Sequence, residues 1–172
     1  PAVRHSISEI HKDAKLPEGM VTHYRALAAR SNYLSADRPE CQYASKEACR
    51  FMAEPTEMGA EGLKRIGRYL AKHPRVIYEY PFDNTVTALD VYVDTDHAGR
   101  LRTRKSTSGG CVMVGSDLLK SWSGTQPVIT LSSGEAELYG VVRGAAVGLG
   151  FLSLLTDLGI VLVLRLWTDS TA

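Results

Sequence analysis

Three carboxylates in this 172-residue chain stand where a site can be built: Asp94, Glu137 and Asp169. Asp94 follows the strand-like run ALDVYV (88–93), Glu137 lies in the first turn of a long helical pattern, and Asp169 follows the apolar run VLVLRLW (161–167). If the strands carrying Asp94 and Asp169 run parallel as neighbours, both carboxylates leave the sheet at one edge, where open α/β sheets place their sites. Glu137 then approaches from the helix. Three carboxylates gathered at one point repel unless a cation compensates, and an oxygen-only ligand set selects Mg²⁺ or Mn²⁺. Two such ions, about 3.5–4 Å apart, support phosphodiester hydrolysis, one activating a water and the other stabilising the leaving 3′-oxygen.

Each of these residues also has a plainer reading. A single Asp at a strand end is usually a turn or capping residue, so the joint placement carries the metal reading. Glu135 competes with Glu137, and capping logic separates them. With Ser132 as N-cap, Glu135 falls at the third helical position and completes an S-x-x-E box, leaving Glu137 free. Asp96, two residues past Asp94, takes a supporting or turn role. Arg100, Arg102, Arg104 and Lys105, followed by Ser106, Thr107 and Ser108, form a basic, hydroxyl-rich segment. It either holds nucleic-acid phosphates or protects a solvated hairpin edge against pairing. Trp122, Tyr139 and Trp167 sit inside strand or helix patterns and read as core or interface residues rather than stacking platforms. The histidines show no metal-ligand spacing, and Tyr92-Val93-Asp94-Thr95 lacks the second Asp of a polymerase Y-x-D-D loop.

The elements that must position these groups fall into two regimes. Residues 1–18 are polar and aperiodic and read as a tail. A helix is expected over Met20–Leu34, a second after Pro39, whose missing N–H costs nothing in a first turn, and a third after Thr56 as N-cap. The third carries Ala60, Leu63, Ile66 and Leu70 at helical spacing, and Pro74 closes it. The pattern then turns to strands at 76–80 (VIYEY) and 88–93. The domain boundary is placed at Pro81–Thr85, between a helical segment (1–80) and an α/β domain (85–172). Residues 109–114 and 118–122, joined by Gly115-Ser116-Asp117, read as a hairpin, and 127–131 (PVITL) continues the strand pattern. In the long helix Leu138, Val141, Val142, Ala145 and Leu149 make one apolar stripe, expected to pack on the sheet. Residues 161–167 read as a central strand covered on both faces. The order β-β-β-α-β is that of an α/β layer whose last strand lies parallel to its first.

Composition bounds the rest. With 44% hydrophobic and 23% charged residues the chain is globular rather than disordered. A net charge of +1 neither demands nor excludes a polyanionic partner. Cys41, Cys49 and Cys111 are odd in number and form no C-x-x-C pair, which argues against a disulfide framework or zinc ribbon and for a reducing intracellular compartment, cytoplasmic or nuclear. No signal peptide is seen, and the longest apolar run, Gly159–Leu164, is far short of the ~20 residues of a membrane helix. A soluble chain with no membrane partner is expected. Pro1 and Thr171-Ala172 read as cut ends of something longer.

Four motifs in order, DVYVDTDHAG (90–99), RKSTSGGCVMVG (104–115), SWSGTQPVITLSSGEAELYG (121–140) and LWTDSTA (166–172), resemble the ribonuclease H domain of copia-type (Ty1/copia) retrotransposon Pol polyproteins. Residues 32–74 are similar to the helical region that closes the reverse transcriptase of the same polyproteins. The resemblance implies a ribonuclease H-like mixed sheet with a crossover helix, binding two Mg²⁺ or Mn²⁺ ions and cutting the RNA strand of an RNA–DNA hybrid during reverse transcription. It places the catalytic and metal-binding carboxylates at Asp94, Glu137 and Asp169, with Asp94 shared by both ions. The segment holding Arg100, Arg102, Arg104, Lys105, Ser106 and Ser108 would grip the hybrid, read by groove shape and 2′-OH contacts. The upstream reverse transcriptase is the implied polyprotein partner.

The chain departs from the family pattern in three respects. The family completes its site with a further Asp beyond the strand-end D-S motif, and this sequence ends three residues past Asp169, so the expected site is a partial one. His97 stands where the family usually has an aromatic residue. The polymerase loops belong upstream of the part resembled. Two other readings stay open: a non-catalytic nucleic-acid-binding or tethering segment, and a decayed transposon fragment.

Overall fold

The structure, a computed structural model, describes residues 13–83, 85–99 and 103–169. The chain forms two compact units, Pro1–Ile77 and Tyr78–Ala172.

The first unit is helical. Its elements are α1 (Glu18–Leu34), a short 3₁₀ turn (Pro39–Cys41), α2 (Gln42–Cys49) and α3 (Glu57–Lys72). Pro39 opens the 3₁₀ turn, and Thr56 caps α3 by accepting from Gly59 N at 3.3 Å. Ile66 is the buried anchor of α3, with Ala60, Leu63 and Leu70 half-buried along the same face. Three polar links among the described residues join α1 to α2: Tyr24 Oη donates to Ala48 O at 2.7 Å, the Ser31 and Ser45 hydroxyls meet at 2.6 Å, and Cys49 Sγ donates to Ala28 O at 3.5 Å. Burial is the main cause that pushes the Tyr24 phenol up to about 12. Residues 13–17, expected as part of a tail, are tied down. Leu16 N donates to Pro55 O and Glu57 N to Ala14 O, each at 2.9 Å. Residues 1–12 lie outside the described part.

The second unit is mixed α/β. Strands β1 (Ala88–Asp96), β2 (Thr107–Val114) and β3 (Asp117–Thr125) precede α4 (Ser133–Asp157), and β4 (Val163–Thr168) follows it. The sheet order is β3-β2-β1-β4, with β1–β2 and β2–β3 antiparallel and β1–β4 parallel. This is the expected β-β-β-α-β layer, compatible with a ribonuclease H-like fold. The β2–β3 hairpin closes through Gly115, whose φ of 58° suits the residue without a Cβ. The core is Leu89, Val91 and Val93 of β1 with Val112 and Trp122.

Four expectations need correction. Residues 76–80 form no strand; a strand needs a ladder partner, and this segment pairs with none of the described strands. Residues 127–131 form none either, because β3 runs on to Thr125 and the chain then turns toward α4. The fully buried face of α4 is Ala136, Gly140, Gly144 and Gly148, one small residue per turn, and of the predicted stripe Val141 packs against the core beside it. Leu138, Val142 and Leu149 point outward. Without side chains of their own, the glycines let the helix backbone come down on Thr95, Val93 and Val91. Finally, β4 is an edge strand of the described sheet, with Val163 and Trp167 exposed, rather than a strand covered on both faces.

By length and composition α4 is also apolar enough to cross a membrane, although no single run in the sequence suggests it. Its glycine face is taken up by the sheet, and it connects two strands of that one sheet. It is the crossover helix of this unit.

Candidate metal centre

The parallel ladder pairs Asp90 with Arg165, Tyr92 with Trp167 and Val93 with Thr168. The next position on each strand is therefore Asp94 and Asp169. On its other side Asp94 faces Gly109 of β2, where no side chain competes for space. Glu137 arrives from the first turn of α4, which is seated by fully buried Ala136 and by the close approach of Gly140 to Thr95. Each of the three carboxylates offers an oxygen within 4.8 Å of the others; Asp94 and Asp169 are exposed and Glu137 is half-buried.

The electrostatics of this arrangement would be eased by a cation. Oε2 of Glu137 is closed off from solvent and has no hydrogen-bond partner among the described residues. Burial, and then the negative charges of Asp169 and Asp94, push the Glu137 carboxyl above its ordinary range. An orphaned carboxylate oxygen facing two further acids is costly, and a divalent ion relieves both the repulsion and the missing bond. The donors are all oxygen, which fits Mg²⁺ or Mn²⁺ rather than Zn²⁺.

The competing acids fall elsewhere. Glu135 N donates to Ser132 Oγ at 3.1 Å, and the Glu135 carboxylate accepts from Leu131 N at 2.7 Å. The capping box thus closes on the residue before the N-cap, and it keeps Glu135 out of the cluster. Asp96 lies half-buried against Gly99 and is not one of the three.

The basic segment is only partly visible, since Arg100 and Arg102 lie outside the described residues. Arg104 is exposed, with a left-handed φ of 56°, and Lys105 Nζ donates to Pro127 O at 2.7 Å. Ser106 and Ser108 require a correction. Both hydroxyls are buried and spent internally, so they are not phosphate ligands. Ser106 Oγ accepts from Ala98 N and meets Thr130 Oγ1, each at 3.0 Å. Ser108 Oγ accepts from Gln126 Nε2 at 2.8 Å. His97 joins the same network through Nδ1 and Thr130 Oγ1 at 3.3 Å, which gives the imidazole a polar role in place of aromatic packing. Of the three aromatic residues, Trp122 is core, whereas Tyr139 and Trp167 are on the surface.

Sequence reasoning missed two supports of the centre. Gln126 Nε2 also donates to Ala136 O at 2.8 Å, tying β2 to the turn of α4 that carries Glu137. Asp90 accepts from Arg165 Nε and Nη2 and from Trp167 Nε1. The pairing of β1 with β4 was the available signal, because it sets Arg165 opposite Asp90.

No family model matches the chain, and no solved structure matches it. Among curated proteins it is similar to the retrovirus-related Pol polyproteins from transposons RE1 and RE2 of Arabidopsis thaliana. The identities are 37% over 81% of the chain and 35% over 88% of it. It is also 33% identical, over 77% of its length, to the uncharacterized mitochondrial protein AtMg00810 of the same plant. The chain spans only 9% and 10% of the two polyproteins and 54% of the third protein. On these similarities, the chain belongs to the family of copia-like retrotransposon Pol polyproteins.

Proposed function

We propose that the second unit is a ribonuclease H-type endonuclease domain that cleaves the RNA strand of RNA–DNA hybrids during retrotransposon reverse transcription. The observation that carries this reading is the convergence of Asp94, Glu137 and Asp169 from β1, α4 and β4 to within 4.8 Å. Asp94, from the inner strand of the sheet, would hold the ions together with Glu137 from the helix side and Asp169 from the edge strand. When bound, two divalent ions supply an activated water and charge stabilisation for the leaving 3′-oxygen. Around them the protein's work is positional. Gln126 and Ala136 fix the helix turn behind Glu137, and exposed Arg104 offers charge to a phosphate backbone. The first unit, in this reading, is the helical end of the reverse transcriptase, and the domain works inside the cell.

The test is cleavage of a labelled RNA–DNA hybrid in Mg²⁺ or Mn²⁺, with single-stranded RNA as the control and Asp94→Asn as the variant. Hybrid-specific cutting that disappears in Asp94→Asn is the expected result. Cutting that survives the substitution, or a folded chain that binds hybrid without cutting it, overturns the assignment.

A further inference from the structure

Asp169 can serve beside Asp94 only if β4 pairs with β1 in one register, and the apolar packing of β4 does not specify that register. Leu162, Leu164 and Leu166 alternate along the strand and pack against the core, with Leu164 near Gly148 and Leu166 near Gly144. A slip of two residues keeps every side chain on its own face, and in the direction that moves Leu162 and Leu164 into the places of Leu164 and Leu166 it replaces leucine by leucine over Gly148 and Gly144. It also carries Asp169 about 6.6 Å along the sheet, at about 3.3 Å per residue, beyond the spacing of the cluster.

The opposite face breaks this degeneracy. Asp90 is only 7% exposed and lies one side-chain repeat before Tyr92 and two before Asp94. Its Oδ1 accepts from Arg165 Nε at 2.8 Å and from Trp167 Nε1 at 2.6 Å, and its Oδ2 accepts from Arg165 Nη2 at 2.8 Å. A two-pronged guanidinium–carboxylate pair with an indole donor is directional and charge-assisted. After a two-residue slip, Asp90 faces Leu-flanked Val163 or Trp167 in place of Arg165, and a nearly buried carboxylate loses its cation.

We propose that Asp90, through Arg165 and Trp167, is a positioning residue that locks β4 in the register bringing Asp169 to Asp94. The role matters to function only if the three carboxylates are a metal centre, so it rests on the reading above; the lock itself is observable without metal.

The experiment compares the wild-type chain with Asp90→Val, with Arg165→Gln and with the charge-exchanged double variant Asp90→Arg/Arg165→Asp. In metal-free protein, NMR cross-strand contacts report the β1–β4 register, and Mn²⁺ titration reports the centre. Asp90→Val should lose or split the native β1–β4 contacts, keep those of β1–β2, and bind Mn²⁺ about 10-fold or more weakly. The double variant should recover both. Native β1–β4 contacts in Asp90→Val overturn the proposal. Should that variant fail to fold, Arg165→Gln, altered at a half-exposed side chain, decides in the same way. A register shift in a protein whose wild type binds no Mn²⁺ upholds the lock and removes the metal reading instead.

Discussion

Val93 and Thr168 are partners at the end of the parallel β1–β4 ladder, and each is followed directly by a carboxylate. That single pairing turns two aspartates 75 positions apart in sequence into neighbours. The helix between the strands adds Glu137, so the centre depends on how closely α4 lies on the sheet and how β4 is held.

Closeness is set by the glycine face. A Cβ at Gly144 would run into Val93 Cγ1 and sit 3.1 Å from Leu166 Cδ1, whereas one at Gly150 meets nothing within 4 Å. Gly144→Ala should therefore cost about 1–3 kcal/mol through overpacking. Gly150→Ala should stabilise by up to ~1 kcal/mol through helix propensity. Urea unfolding of the two variants checks the opposite signs.

Much of this was legible in the sequence. The alternating and apolar runs located all four strands, and the Ser132 to Glu135 spacing separated the capping acid from Glu137. The glycine face of α4 was not legible, because a hydrophobic stripe is sought in large side chains and the closest approach to the sheet is made where they are missing. The exposed position of β4 was hidden for a related reason, since VLVLRLW has the same composition at a sheet edge as at its centre. The inward turn of Ser106 and Ser108 depends on Gln126 and Thr130, partners distant in sequence that no local pattern announces.

Gln126 is predicted to matter twice. Gln126→Leu removes the donors to Ala136 O and Ser108 Oγ, and the buried acceptors left behind should cost about 1–3 kcal/mol. The same change loosens the turn that carries Glu137, so Mn²⁺ affinity should fall while Gly150→Ala leaves it unchanged. Thermal unfolding and Mn²⁺ titration of the two variants separate these effects.

Asp90 gives a pH signature. The hydrogen bonds from Arg165 hold its carboxyl below the ordinary value of 3.8; burial opposes this, and the bond from Trp167 adds to it. A carboxyl lowered in the folded state binds fewer protons there than in the unfolded chain. Its contribution is present above pH 3.8 and is lost as pH falls below that, through the folded value. The stability difference between wild type and Asp90→Asn should accordingly shrink as denaturation is followed downward through this window. A difference that stays constant with pH would show that the Asp90 charge is not used.

The most direct test of the central claim is calorimetric titration of Mg²⁺ and Mn²⁺ into the wild-type chain and into Asp94→Asn, Glu137→Gln and Asp169→Asn. Saturable binding in the wild type that each substitution weakens, with the variants folded, is the expected result. Saturable binding left unchanged by all three substitutions, or no binding by the folded wild type, would contradict it.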